Sequence, residues 1–223
     1  MTMQHVSVLD VWSDRGHTSG QMSSQVSTQR AAEAEPLDAP RRALSARQAA
    51  TVDGLVDATV AELAATGYAP LSVRSVARRA GVAPATAYTY FASKEHLVAE
   101  VFWRRFRAQP DDVDRSGSPS GRARAALEAF ALVVAHETDL AAACTVAVLA
   151  DDPDVRVLRA RIGAELHRRL LDALGDAADP DVVQTLQLAT AGALLQVGTG
   201  HLDYADLPAV LERVTATVLG GAS

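Results

Sequence analysis

Apolar residues recur along most of this chain at the spacing of a helix face. From Ser45 to Thr66, Val52, Leu55, Val56, Val60 and Leu63 keep that spacing, and Gly67 is placed to end the helix. Tyr68, Ala69 and Pro70 form a connector. Ser72 is a good N-cap for a short helix through Val73, Val76 and Ala77, and Gly81 breaks it. Pro84 suits the first turn of the next helix, over 84–90, where its missing N–H is harmless. Ser93 then caps a helix with Leu97, Val98, Val101, Phe102 and Phe106 on its buried side. Residues 109–121, with Ser116-Gly117-Ser118-Pro119, read as a loop.

Further helices follow over Arg122–Glu137 and Leu140–Ala150, the second apolar enough to predict a buried helix. Asp152-Pro153 opens a long helix through Val155, Leu158, Ile162, Leu166, Leu170 and Leu174, closed by Gly175. Asp179-Pro180 repeats the signal for a helix to about Val197, and Pro208–Leu219 is the last. The helix after Asp179 is apolar on several sides, so it needs partners on more than one face. With the last helix it predicts a face that doubles into a four-helix dimer bundle, Ala189, Gly192 and Ala193 permitting close approach. The other reading is that both helices complete the core of one protomer. The fold class is all-α, a basic helical unit followed by a larger one.

Alanine, leucine and valine dominate the composition and favour helices. One cysteine, Cys144, excludes an internal disulfide and fits a reducing compartment. No apolar run approaches the ~20 residues of a membrane span. Nor does the N-terminus read as a secretory signal, so the expected location is cytoplasmic. The net charge of −6 looks wrong for a polyanion binder. It is segregated, however. Residues 1–40 carry 2 basic and 5 acidic side chains, 41–107 carry 10 and 5, and 108–223 carry 9 and 17. The middle unit is therefore +5 and the last −8. Residues 1–40, rich in Ser, Gln, Thr and Gly, read as a disordered arm.

A short helix, a glycine turn and a second short helix have the punctuation of a helix-turn-helix. The second would lie in a DNA major groove, offering the hydroxyls of Thr86, Tyr88 and Thr89 to phosphates or base edges. Lys94, the chain's single lysine, stands exposed at the next helix's N-terminus and suits a phosphate. Phe91 plugs the small core.

The stretches ELAATGYAPLSVRSVARRAGV and ATAYTYFASKEHL, in register, resemble the tetracycline-repressor (TetR) family of bacterial transcriptional regulators. The resemblance implies a helix-turn-helix DNA-binding domain over 41–107 and a helical ligand-binding and dimerisation domain over 108–223. It implies a homodimeric repressor on a double-stranded, palindromic operator. Arg74 falls on a base- or phosphate-contacting position, and Thr86, Tyr88 and Lys94 on phosphate contacts. Ala83, Pro84, Ala85 and Thr89 lie where bases are read, and Tyr90 where a histidine is common. Three of those base-reading residues lack donors, so shape and thymine methyl groups must carry much of the specificity. Arg41, Arg42 and Arg47 precede the first helix and can touch the backbone or minor groove.

The resemblance also implies a pocket for a small-molecule effector, for which Phe102, Trp103, Phe106, Phe130, Cys144, Leu166 and Leu170 are candidate linings. Few charges are expected inside, so the effector is expected to be apolar. His136, His167, Gln187 and Gln196 are candidates to orient it. Enzyme readings are weak. Cys144, His136 and Asp139 crowd into nine residues of helical sequence, which does not orient a nucleophile and base. No metal-ligand spacing and no phosphate loop appears, so neither metal nor cofactor is expected. Arg156, Arg159, Arg161, Arg168 and Arg169 read as a solvated helix face. The competing class is a helical protein-interaction module without DNA binding, against which the charge split argues.

Overall fold

Ser45 opens the first helix through a capping box with Gln48: each side chain bonds the other's backbone N–H. A computed structural model describes residues 45–110 and 117–220. The arm expected over 1–40, and Arg41 and Arg42, lie outside the described residues. Helix α1 spans Ala46–Thr66 and ends at Gly67, whose N–H bonds the Leu63 carbonyl. The others are α2 (Val73–Arg79), α3 (Pro84–Tyr88), α4 (Lys94–Ala108), α5 (Pro119–Ala131), α6 (Thr138–Val148), α7 (Pro153–Leu174), α8 (Pro180–Gly198) and α9 (Leu207–Gly220). No strand occurs among the described residues.

The capping residues act as the sequence predicts. Ser72, Ser93, Asp152 and Asp179 each accept a backbone N–H from the first turn of their helix. Several boundaries differ. Helix α3 stops at Tyr88, leaving Thr89 and Tyr90 in a turn. Helix α5 starts three residues early, because Ser118 and Pro119 serve as N-cap and first turn instead of loop. Residues 132–136 form turns between α5 and α6.

One continuous core takes in Leu55 and Val56 of α1, Val76 of α2, Ala87 of α3, Leu127 of α5 and Leu211 of α9. Helix α4 is the beam through it, with Leu97, Val98, Val101, Phe102 and Phe106 all buried. Neighbours hold it at both ends. The Ser93 hydroxyl donates to Asp152 at 2.7 Å, joining the N-caps of α4 and α7. At the other end Arg169 donates to the carbonyls of Phe106 and Gln109, at 3.1 and 3.4 Å, and lies 4.4 Å over the Phe106 ring. Arg169 is 4% exposed, which corrects its assignment to a solvated face. Its guanidinium tolerates burial because Glu165 and those two carbonyls satisfy it. Glu165 is held down at a pKa of about 2, by Arg168 first and then by Arg169, against burial.

Helix α6 also departs from expectation. It buries Leu140, Ala141, Ala143, Cys144 and Ala147 but leaves Val146 55% exposed, and Leu149 just after it is 60% exposed. On α8, Ala193 faces the protomer's own core, whereas Leu188, Ala191, Gly192 and Leu195 form an exposed apolar stripe at i, i+3, i+4, i+7 spacing.

Candidate functional site

Helices α2 and α3 meet at a turn that only a residue at ease with positive φ can make. Gly81 sits at φ 70°. Its N–H bonds the Arg78 carbonyl and the Val82 N–H bonds the Ala77 carbonyl, a Schellman closure of α2. Glu62 of α1 braces the same corner, accepting from Arg79 Nε at 2.5 Å while itself 6% exposed. The Arg79 bond, against burial, holds the Glu62 carboxyl below the usual carboxylate range.

So mounted, α3 buries Ala87 alone. Ala83, Pro84, Ala85, Thr86, Tyr88 and Thr89 are exposed, Tyr88 by 50%. Arg74 on α2 and Arg47 on α1 are exposed and make no ion pair among the described residues. Phe91 is 3% exposed and fills the small core as expected. The other two candidates are less exposed, Lys94 contrary to expectation. Tyr90 is half-buried and packs against the core. Lys94 is half-buried too: its ammonium donates to the carbonyls of Tyr68 and Ala69, at 3.1 and 3.4 Å, and stands 4.2 Å over the Tyr68 ring. The start of the α1–α2 connector turns these two carbonyls toward the first residue of α4, and that of Tyr68 also accepts the Leu71 N–H at 3.2 Å. An ammonium has three donors, so one remains for an outside oxygen. Thr89 donates back to the Ala85 carbonyl at 3.0 Å and keeps its oxygen as an acceptor.

A cavity of about 370 Å³ lies among the helices behind this head, a size typical of small-molecule sites. Of the candidate linings, Phe102, Phe130 and Cys144 border it. Trp103, Phe106, Leu166 and Leu170 do not. Trp103 turns toward Ala99, Val155 and Leu158, and Phe106 lies under Arg169. Leu166 and Leu170 are ordinary core. The remaining wall comes from Ala131 of α5, from Val134, from Ala141, Thr145 and Val148 of α6, from Leu149, from Ile162 of α7, from α8 at Ala191, Gly192, Leu194 and Leu195, and from Tyr204. No charged side chain lines it. Three rings, Phe102, Phe106 and Phe130, stack edge to face or tilted at 5.0–6.4 Å and connect the cavity to α4.

His136, His167, Gln187 and Gln196 stay out of the wall. His167 and Gln187 pair at 3.2 Å, and Gln187 donates to the Gly163 carbonyl, tying α7 to α8. Burial pushes the Cys144 thiol up to about 12, the reverse of an activated nucleophile. Among the described residues no group of three His, Cys, Asp or Glu could hold a metal ion, and no helix is long and apolar enough to cross a membrane.

The head has kin. Residues 55–101 match the profile of bacterial regulatory proteins of the tetR family. An uncharacterized helix-turn-helix-type transcriptional regulator of Mycobacterium tuberculosis strain H37Rv is 46% identical over 179 residues, 79% of this chain and 84% of that one. The chain belongs to the tetR family. As a member it is a DNA-binding transcriptional regulator, and the reading as an interaction module without DNA binding falls. Solved structures agree on the fold. A TetR transcriptional regulator from Rhodococcus sp. RHA1 superposes with a TM-score of 0.65 at 22% identity, over 80% of this chain and 100% of that one. Thermus thermophilus FadR, a repressor crystallised with lauroyl-CoA, gives 0.63 at 19% identity, over 77% and 95%.

Proposed function

We propose that this tetR-family protein is a repressor that grips a near-palindromic operator as a homodimer and releases it when an apolar small molecule fills the cavity. The observation that carries the reading is the one-sided burial of α3. Six of its residues and immediate neighbours face outward on a braced turn, and only Ala87 faces in. Arg47, Arg74 and the third donor of Lys94 supply phosphate contacts. Thr86, Tyr88 and Thr89 supply hydroxyls, and Ala83, Pro84 and Ala85 offer small apolar surfaces for thymine methyl groups.

The exposed α8 stripe of Leu188, Ala191, Gly192 and Leu195, the last three of which also border the cavity, supports dimerisation, since apolar rows without charge are what a two-fold helix face needs. Helix α4 supports the coupling. Its 15 residues span ~22 Å. Phe102 borders the cavity near its middle, and Lys94 and Ser93 stand beside the reading head at its start. A ligand that displaces Phe102 thereby biases the separation of the two α3 helices, provided it binds one arrangement better than the other. Lauroyl-CoA in the Thermus fold relative fits a lipid-like interior. This chain's cavity wall, however, carries no lysine or arginine for phosphate groups.

The test is a footprint on the DNA upstream of the protein's own gene. Two protected half-sites related by two-fold symmetry, centred ~34–36 Å apart, are expected. Protection of a single unsymmetrical segment, or none, would overturn the proposal.

A further inference from the structure

The cavity wall is apolar except at three side chains, and these differ in whether their hydrogen bonds are made. Thr145 is satisfied: its hydroxyl donates to the Ala141 carbonyl at 3.1 Å. The Cys144 thiol is 4% exposed and has no hydrogen-bond partner among the described residues. The Tyr204 hydroxyl, on the turn before α9, has none among them either. Burial first, and then the neighbouring Cys144, raise the Tyr204 phenol above its ordinary value, so it remains a donor well past neutral pH. Folding places an unspent phenolic donor beside an unspent thiol in a greasy wall. Tyr204 is only partly buried, so water can reach its hydroxyl until a ligand arrives; a molecule that covers it without an acceptor leaves the bond unmade, and one that brings an oxygen restores it.

An ionised group would meet nothing favourable there. The nearest charges to Cys144, Arg105 and Glu137, are bonded to each other and stay out of the wall. We infer that the cavity selects an uncharged, mainly hydrocarbon molecule bearing a hydrogen-bond-accepting oxygen, which the Tyr204 hydroxyl receives at the Cys144 end. This rests on the effector reading above and names the chemical class of that effector.

Three probes of equal carbon number test it on the full chain: octan-2-one, octane and octanoate at pH 8. Binding is followed through tryptophan fluorescence, since Trp103 stands one residue from Phe102. Octan-2-one should bind at least about tenfold more tightly than the charged octanoate. Tyr204→Phe should weaken octan-2-one about tenfold, the worth of one neutral hydrogen bond, while leaving octane unchanged, which also reports that the variant is folded. Should that variant fail to fold, the ketone-to-octanoate ratio of the parent decides alone. Octanoate matching the ketone, a ketone affinity that Tyr204→Phe leaves unchanged, or no binding of any probe would overturn the inference. No DNA is present in the assay. A chain that takes the ketone yet never leaves an operator therefore supports this inference while overturning the effector reading.

Discussion

Two helix caps that hydrogen-bond to each other join the start of α4 to the start of α7, and their removal is open to a clean measurement. Asp152 accepts the backbone N–H groups of Asp154 and Val155 at 2.8 and 3.1 Å, and the Ser93 hydroxyl at 2.7 Å. Ser93 in turn accepts the His96 N–H at 3.0 Å. Asp152→Ala loses an N-cap, worth about 1 kcal/mol, and a charge-assisted bond, worth about 1.5 kcal/mol at this half-exposed site. Destabilisation of roughly 2–3 kcal/mol is expected. Ser93→Ala loses its own cap and the same shared bond, roughly 2 kcal/mol. Because that bond counts in both single variants, the double variant should fall short of additivity by about 1–1.5 kcal/mol. Urea unfolding at neutral pH, read for midpoint and slope, measures all four corners of the cycle. The Ser93 bond, then the cap bonds, hold the Asp152 carboxyl below its ordinary value despite burial. Its stabilisation is therefore complete above the unfolded value near ~3.9 and lost as pH falls through the lowered folded value. The gap between parent and Asp152→Ala should close below about pH 4. Additivity within ~0.5 kcal/mol, or a gap that persists in acid, would refute the reasoning.

Other perturbations have expected outcomes. Glu62→Gln keeps the shape of the brace and removes its charge, so stability in urea should drop by about 1–2 kcal/mol. Glu62's lowered pKa puts that loss above about pH 4.5, fading as the parent's carboxyl protonates. A Cβ on Gly198 would stand 2.3 Å from Thr145 Cγ2 and 3.0 Å from its Cβ and Oγ1, so Thr145 or the backbone must shift to admit it. Gly198→Ala should cost about 1–3 kcal/mol in thermal or urea unfolding, and Thr145→Ala should recover part of it. Leu188 is 67% exposed, so Leu188→Glu should leave the protomer's fold within ~0.5 kcal/mol. In sedimentation it should weaken self-association by about a hundredfold or more, through an uncompensated charge on the two-fold face.

Much of the helix order was legible because local chemistry writes it. Ser72, Ser93, Asp152 and Asp179 cap through their own next turn, Gly81 admits the positive φ its turn needs, and Pro84 fixes its own φ. The start of α5 was hidden because serine and proline serve loops and helix starts alike, and only packing decides. Arg169 and Lys94 were misjudged for a different reason. Each is held by carbonyls from another part of the chain, Arg169 buried against Phe106 and Lys94 half-buried against Tyr68. Helical spacing cannot report such contacts. The cavity was half legible. Phe102, Phe130 and Cys144 border it, but a residue beside a void and a residue in solid core have the same apolar signature, as Phe106 and Leu170 show. Tyr204 lies on a 3-10 turn outside any periodic run, and Gly192 carries no side chain to notice.

The central claim is that the α2–α3 face holds duplex DNA through phosphate contacts from each of two protomers. Its most direct test is the salt slope of operator affinity, measured by fluorescence anisotropy for the parent and for Arg74→Ala. Arg47, Arg74 and Lys94 from two protomers predict a slope of log K on log salt of about −5, and Arg74→Ala should lower its magnitude to about 3.5. A slope near zero in the parent, or an Arg74→Ala protein with the parent's affinity and slope, would contradict the account.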